Sequence, residues 1–244
     1  MVERPRKAAF ATTRWSLVLA AGSGTASSAS RDALATLCET YWYPLYAYLR
    51  SRGERPEDAE DLTQAFFARL VEKETIEHAD PARGRFRSFL LASLKHFAAN
   101  ARDHTAAAKR GGGVALIPLT FEDGEDRFLR EPSIDETPER IFDRRWAQAL
   151  LARALARLDR EMIQHGKRED FVVLRRYLLG DAPQLSYGDA AIQLGASAGS
   201  IKVAVHRMRR RFRDLVRDEI AQTVGSPEEV DDELRHLFES LGRS

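Results

Sequence analysis

Disulfide bonding within the chain is excluded at once, because its 244 residues include a single cysteine, Cys38. Cys38 falls on an apolar helical stripe and reads as core. Six histidines are scattered along the chain, so no Cys/His set has the spacing of a metal site, and no metal or other cofactor is expected. Long apolar runs are missing too. The run Trp15 to Ala21 is too short to cross a bilayer, which takes about 20 residues. Arg14 abuts that run and a Gly/Ser-rich stretch follows it, which fits a secretion signal poorly. The expectation is a cytoplasmic protein with no membrane association. Net charge is also nearly absent, with 38 Lys and Arg against 37 Asp and Glu, so the chain is not a polybasic nucleic-acid coat. Strand-like alternation is limited to a possible short run at Val114 to Phe121.

The charges that are present are segregated. Basic clusters occupy Arg83 to Arg110 and Lys202 to Arg217; acidic ones occupy Glu57 to Asp61, Glu122 to Glu139 and Glu228 to Glu233. Segregation of this kind suits two partners, a nucleic acid and a basic protein surface.

Residues Ser186 to Val216 carry the sharpest local signal. They read as two helices joined by a tight turn. Ser186 and Asp189 fit a capping box for the first helix, and Ser197 fits an N-cap for the second. Ala191 permits close helix approach, Gly195 suits a turn with φ > 0, and Ile201 plugs the second helix into the first. Ile201, Val205, Met208, Phe212 and Leu215 form one stripe. At about 100° per residue the opposite face holds Gly199, Val203, His206, Arg207, Arg210 and Arg213, flanked by Lys202, Arg209 and Arg211. No acid intervenes between Asp189 and Asp214. This is the pattern of a DNA-binding helix-turn-helix. Ser200, Lys202, Val203, His206, Arg207 and Arg210 are its candidate DNA contacts, those at the start of the helix meeting bases and Arg209 to Arg213 gripping phosphates.

Upstream, helical stripes recur. Leu34, Leu37, Cys38, Tyr41, Leu45 and Tyr48 share a face, which Pro44 is expected to kink or split. A helix starting at Pro56 has Glu57, Asp58, Glu60 and Asp61 over its positive end and a stripe of Ala59, Leu62, Phe66 and Leu70. A third helix, from about Arg85 to Arg102, turns Phe86, Phe89, Leu90, Leu94, Phe97 and Ala101 inward and Arg87, Lys95, His96 and Asn100 outward. Periodicity then lapses and resumes near Pro138, with Phe142, Trp146, Leu150, Ala154, Leu155 and Leu158 on one face. A final helix after Pro227 sets Val230, Leu234, Leu237 and Leu241 beneath an acidic face. It reads as a helix packed on the preceding domain or as a docking segment for another protein.

Three segments in this order resemble a bacterial sigma factor of the extracytoplasmic-function type, group IV of the sigma-70 family and sigma-24-like. They are PEDAEDLTQAFF from Pro56 to Phe67, FRSFLLASLKHFAAN from Phe86 to Asn100, and the helix-turn-helix. The resemblance implies an all-α fold of two small helical bundles joined by a flexible linker. The divisions are an N-terminal arm 1–30, a region 2-like domain 31–105, an acidic linker 106–137, a region 4-like domain 138–221 and an acidic amphipathic tail 222–244. In the family the first segment docks on the clamp coiled coil of bacterial core RNA polymerase, which assigns Asp58, Glu60, Asp61, Leu62, Gln64 and Phe67 to docking; the polymerase flap is a further implied contact. The second melts and reads the promoter −10 element. It would use Arg83, Arg85, Arg87, Lys95 and Arg102 on phosphates and Phe89, His96 and Asn100 near bases. Phe89 stands where the family often has Trp, and His96 where it often has Asn. The third reads the −35 element. The acids Asp123, Glu125, Asp126, Glu131, Asp135 and Glu136 of the linker would imitate RNA in the polymerase cleft. An anti-sigma factor is a further implied partner.

Two other readings compete. An autonomous LuxR-type regulator with an N-terminal helical sensing domain accounts for the helix-turn-helix but gives no reason for the DAED ridge. A nuclease metal site at Asp58, Glu60 and Asp61 lacks a completing acid or His and a poised nucleophile, so the chain is not read as an enzyme.

Overall fold

The computed structural model describes residues 28–71, 85–105, 124–130, 136–178 and 186–242. Among the described residues the protein is all-helical, with no strand. The N-terminal arm up to residue 27, Arg83, the run Val114 to Phe121, and linker residues 106–123 and 131–135 lie outside them.

The chain divides into two compact units. One takes the residues up to Ala149 and those from Ala221 on; the other is Leu150–Ile220. The first unit contains α1 (Ser28–Ser51), α2 (Pro56–Val71), α3 (Phe86–Thr105), α4 (Gly124–Arg130), the first part of α5 (Pro138–Gln164), and a C-terminal helix, Glu229–Gly242. The second contains the rest of α5, α6 (Arg168–Leu174), a 3-10 turn at Arg175–Tyr177, α7 (Tyr187–Gln193) and α8 (Ala198–Ala221) up to Ile220. The C-terminal helix is α9.

α1 runs through Pro44 as one helix rather than splitting there. A proline inside a helix costs about 3 kcal/mol. Leu45 and Leu49 are fully buried, with Tyr41, Tyr43 and Tyr48 beside them. Each large apolar side chain so buried contributes about 1.5–3 kcal/mol, so packing outweighs the lost helix bond. Cys38 lies in the same core, and burial pushes its thiol up to about 12. α2 starts at Pro56 as expected and buries Ala59, Thr63, Phe66, Phe67 and Leu70. Leu62 is only half-buried. Thr63 takes a core place because its hydroxyl donates back to the Ala59 carbonyl at 2.7 Å, which satisfies its polar atom inside the helix.

α3 and α5 close this core. Phe86 meets Tyr41 edge-on at 5.3 Å between ring centres. The indole N–H of Trp146 donates to the Tyr41 hydroxyl at 3.1 Å. α9 packs here as well, with Val230, Glu233 and Leu237 buried and Leu234 and Leu241 half-buried. The expected apolar stripe is thus rotated toward a position held by an acid. Just before α9, the Thr223 carbonyl accepts from the Phe86 backbone N–H at 3.3 Å.

α4 stands where the sequence shows no period. Seven residues are too few for a helix to persist alone in water, so contacts with α1 hold it. Gly124 is pressed against the Trp42 ring, where an added Cβ would come within 3.3 Å. Arg50 donates to both Glu125 oxygens at 2.8 and 2.7 Å, and the Tyr46 hydroxyl donates to the same carboxylate at 2.6 Å. The hydrogen bond from Arg50 holds the Glu125 carboxyl below its ordinary 4.5. Depression in the folded state means that this contact stabilises fully above the unfolded value and fades as pH falls through the folded one. Amide protection in α4, taken relative to the intrinsic exchange rate at each pH, should therefore fall below about pH 4.5 before that of α1 does. Glu125→Gln should show the lower protection already at neutral pH.

Candidate nucleic-acid interface

Ser186 caps α7 as its sequence predicts. Its side chain accepts from the Asp189 backbone N–H, and Asp189 accepts from the Ser186 N–H at 3.0 Å, a complete capping box. The Tyr177 hydroxyl donates to the Ser186 carbonyl at 3.2 Å, and the Tyr177 and Tyr187 rings stack at 5.2 Å. The helix ends at Gly195, whose φ is +60°. The Gly195 N–H donates to the Ile192 carbonyl and the Ala196 N–H to the Ala191 carbonyl, at 3.3 and 2.9 Å. These two bonds close a Schellman cap, which needs a left-handed residue at the glycine position. Ser197 then accepts from the Ser200 N–H at 3.1 Å and starts α8.

α8 buries Ile201, Val205, Met208, Phe212 and Leu215, the full predicted stripe. Ala190 and Ala191 are buried beside it. Ser200, Lys202, Val203, His206, Arg207, Arg210 and Arg213 are all exposed. Val203 is half open to solvent, an apolar side chain set among cations. Two of the predicted phosphate arginines are engaged internally. Arg209 donates twice to the Tyr177 carbonyl, at 2.9 and 2.7 Å, and Arg211 pairs with both Glu161 oxygens, at 2.8 and 2.7 Å. The Arg211 hydrogen bonds hold the Glu161 carboxyl below its usual range. Lys202, Arg207, Arg210 and Arg213 carry no ion pair among the described residues. The outer face therefore offers hydrogen-bond donors and positive charge along one side of a rigid helix.

In the other unit, His96 and Asn100 are exposed one turn apart on α3. With Phe66, Arg69, Ser93 and Phe97 they line a cavity of about 180 Å³. Phe89 is half-buried, 6.3 Å from Phe86 between ring centres. Lys95 is exposed and pairs with Glu139 at 2.7 Å. Arg87 departs from its expected outward position. Its side chain is 9% exposed, bonded to Asp143 at 2.6 Å and Glu233 at 2.7 Å, with the guanidinium 5.1 Å from the Trp146 ring. Arg85 pairs with the same Glu233 at 2.9 Å.

On α2, Asp61 is exposed and Glu60 and Leu62 are half-exposed. Gln64 donates to Glu60 at 3.3 Å, and Asp58 is paired with Arg55 at 2.8 Å. Phe67, placed by sequence on the docking surface, is in the core, because it follows Thr63 and precedes Leu70 on the buried face. Glu233 and Asp143 were missed by sequence reasoning. The available signal was an acid three residues after Val230 and four before Leu237, inside the apolar stripe of an amphipathic helix. Among the described residues no group of three or more His, Cys, Asp or Glu is placed to hold a metal ion, and no helix is long and apolar enough to cross a membrane.

Residues 37–106 match the family model for sigma-70 region 2. The match covers 70 of the 244 residues and shows a sigma-70 region 2 segment there. No curated protein and no solved structure matches the chain.

The turn itself can be tested. No atom lies within 4 Å of a Cβ added at Gly195, so Gly195→Ala should cost only backbone strain, about 1–2 kcal/mol. Denaturant titration would register that loss, while Gly199→Ala, inside α8, should leave stability unchanged or raise it.

Proposed function

We propose that this chain is a promoter-specificity subunit of the extracytoplasmic-function type, with −10 recognition in the α3-bearing unit and −35 recognition by α7 and α8 acting as a helix-turn-helix. The observation that carries this reading is a conjunction. A sigma-70 region 2 match over residues 37–106 occurs in a chain whose other unit presents the exposed basic face of α8. An autonomous LuxR-type regulator accounts for α8 alone and leaves the region 2 match without a role.

In this reading the acidic ridge of α2 engages the basic coiled coil of core polymerase. Asp61, Glu60 and Asp58 supply charge, and Leu62 with Gln64 supplies the contact beside it. Charge complementarity of that kind guides encounter and register more than it adds affinity. Promoter opening then needs a base to leave the stack, at a cost of a few kcal/mol. The cavity beside His96 and Asn100 is a place for such a base, with Phe97 and Phe66 in its wall. Contact with an aromatic side chain recovers about 1–3 kcal/mol per base, so one captured base roughly offsets one broken step. Lys95, in an exposed pair with Glu139, can exchange that partner for a phosphate. On α8, Ser200, Lys202, Val203, His206 and Arg207 lie in the first turns, where a recognition helix meets base edges. Arg210 lies further along and suits a phosphate. Neither unit needs high affinity alone, because polymerase holding both converts the second contact into an intramolecular one.

Run-off transcription with purified bacterial core polymerase and a library of promoter fragments tests the whole reading. A chain that neither co-purifies with core polymerase nor yields specific transcripts is not a sigma factor. Asp61→Arg should abolish core binding with an unchanged circular dichroism spectrum and melting temperature. Arg207→Ala should weaken discrimination at one −35 base pair by about 1–3 kcal/mol. Equal loss on every sequence would assign Arg207 to phosphate instead.

A further inference from the structure

Glu233, on α9, is the most enclosed charge of the first unit that bears on α3. Its side chain is 1% exposed, accepts a hydrogen bond from Arg87 at 2.7 Å on one oxygen, and lies 2.9 Å from Arg85 on the other, an ion pair without hydrogen-bond geometry. Arg87 also bonds Asp143 at 2.6 Å and lies over the Trp146 ring. Both arginines sit at the start of α3, the helix that the proposed function assigns to promoter opening.

Two roles fit an acid that holds candidate DNA-binding arginines. It could be a latch that imitates phosphate and lets go when DNA arrives. It could instead be a permanent anchor that sets where α3 stands. Burial decides between them. A latch must open at small cost, and the exposed Lys95–Glu139 pair, with side chains 39% and 45% exposed, has that character. The Glu233 site does not. Releasing it leaves the Glu233 carboxylate without a partner in a place closed to water and takes one of two acids from the 9% exposed Arg87, which is the expensive way to break an ion pair. It also lifts Val230 and Leu237 out of the core. The Phe86 N–H bond to the Thr223 carbonyl would be at risk as well.

We infer that α9 is an integral part of the promoter-opening module, that Glu233 is the positioning residue for α3, and that Arg87 acts inside the protein and never on DNA. The inference rests on the reading of α3 given above. It leaves Lys95, His96 and Asn100 as the α3 residues that meet the promoter, and it makes residues far from region 2 a condition of −10 recognition.

The full chain with core polymerase supplies the test. Glu233→Gln keeps the shape and removes the charge. It should lose amide-exchange protection through α3 and lower open-complex yield at least tenfold; a latch predicts the opposite sign, and a rise in open complex would overturn the proposal. The double variant Arg87→Met with Glu233→Met removes both charges and keeps the volume. It should recover α3 protection and show the wild-type slope of promoter affinity against salt. A slope smaller by about one phosphate contact would return Arg87 to the DNA and sink the anchor. If wild-type protein fails to transcribe with core polymerase, the sigma reading falls, while amide exchange in Glu233→Gln still decides whether Glu233 sets α3.

Discussion

A carboxylate taken out of water must find compensation close by, and the position of Glu233 is governed by that demand. Coulomb attraction alone rarely repays the desolvation of a buried pair, and removing one partner typically costs about 3–5 kcal/mol. Glu233 meets the demand with two guanidinium groups, and Arg87 is in turn shared with Asp143 and the Trp146 ring. Three elements distant in sequence, α3, α5 and α9, are held at one point by this arrangement. The apolar contacts of Phe142, Trp146, Val230 and Leu237 supply the bulk of the favourable energy. The charges add a condition that apolar packing lacks, namely a single acceptable register for the helices that carry them.

The contrast with the molecule's exposed pairs is physical. Arg55 with Asp58 and Arg130 with Asp126 lie open to solvent, where water and salt screen such pairs and they contribute little. Contacts of that strength can be exchanged for those of a partner at little loss. The candidate contact residues Asp58, Asp61, Lys95 and those on the outer face of α8 belong to this exposed class. Internal ties use buried or doubly bonded groups instead: Arg87 with Glu233, Arg50 with Glu125, and Glu219 with Arg153 and Arg157. Affinity and architecture thus draw on charges with different surroundings.

Local chemistry was legible in the sequence. The capping box at Ser186, the turn at Gly195 and the apolar stripe of α8 follow from short spacings, and each appears in the structure with the residues expected. The all-helical class was legible for the same reason, since helical periodicity needs only one strand of sequence to be seen. What escaped were pairings across distance. Nothing within Gly124 to Arg130 says that Glu125 will meet Arg50 and Tyr46, 75 and 79 residues earlier. Arg87 carries the same outward-looking chemistry as Lys95 in one dimension, and the approach of Asp143 and Trp146 on α5 and of Glu233 on α9 separates their fates. Phe67 was assigned to a surface by the family resemblance, while Thr63 satisfies its hydroxyl internally and lets that face turn inward. The sigma-70 region 2 segment was recognisable from α2 and α3 together; which of their side chains point outward required the fold.

The bond between Arg87 and Glu233 spans 146 residues of chain. Ribosomes add about 5–20 residues per second, so α3 emerges on the order of 10 s before the acid that completes its surroundings. For the later part of that interval Arg87 has Asp143 but not Glu233, and the Trp146 side of its core has no cover from α9. The helix proposed to handle promoter DNA thus gains its Glu233 contact only after the segment bearing α8 has been made. On the inference drawn above, a chain truncated anywhere before Glu233 lacks the group that sets α3, even when residues 37–106 and the whole of α8 are present.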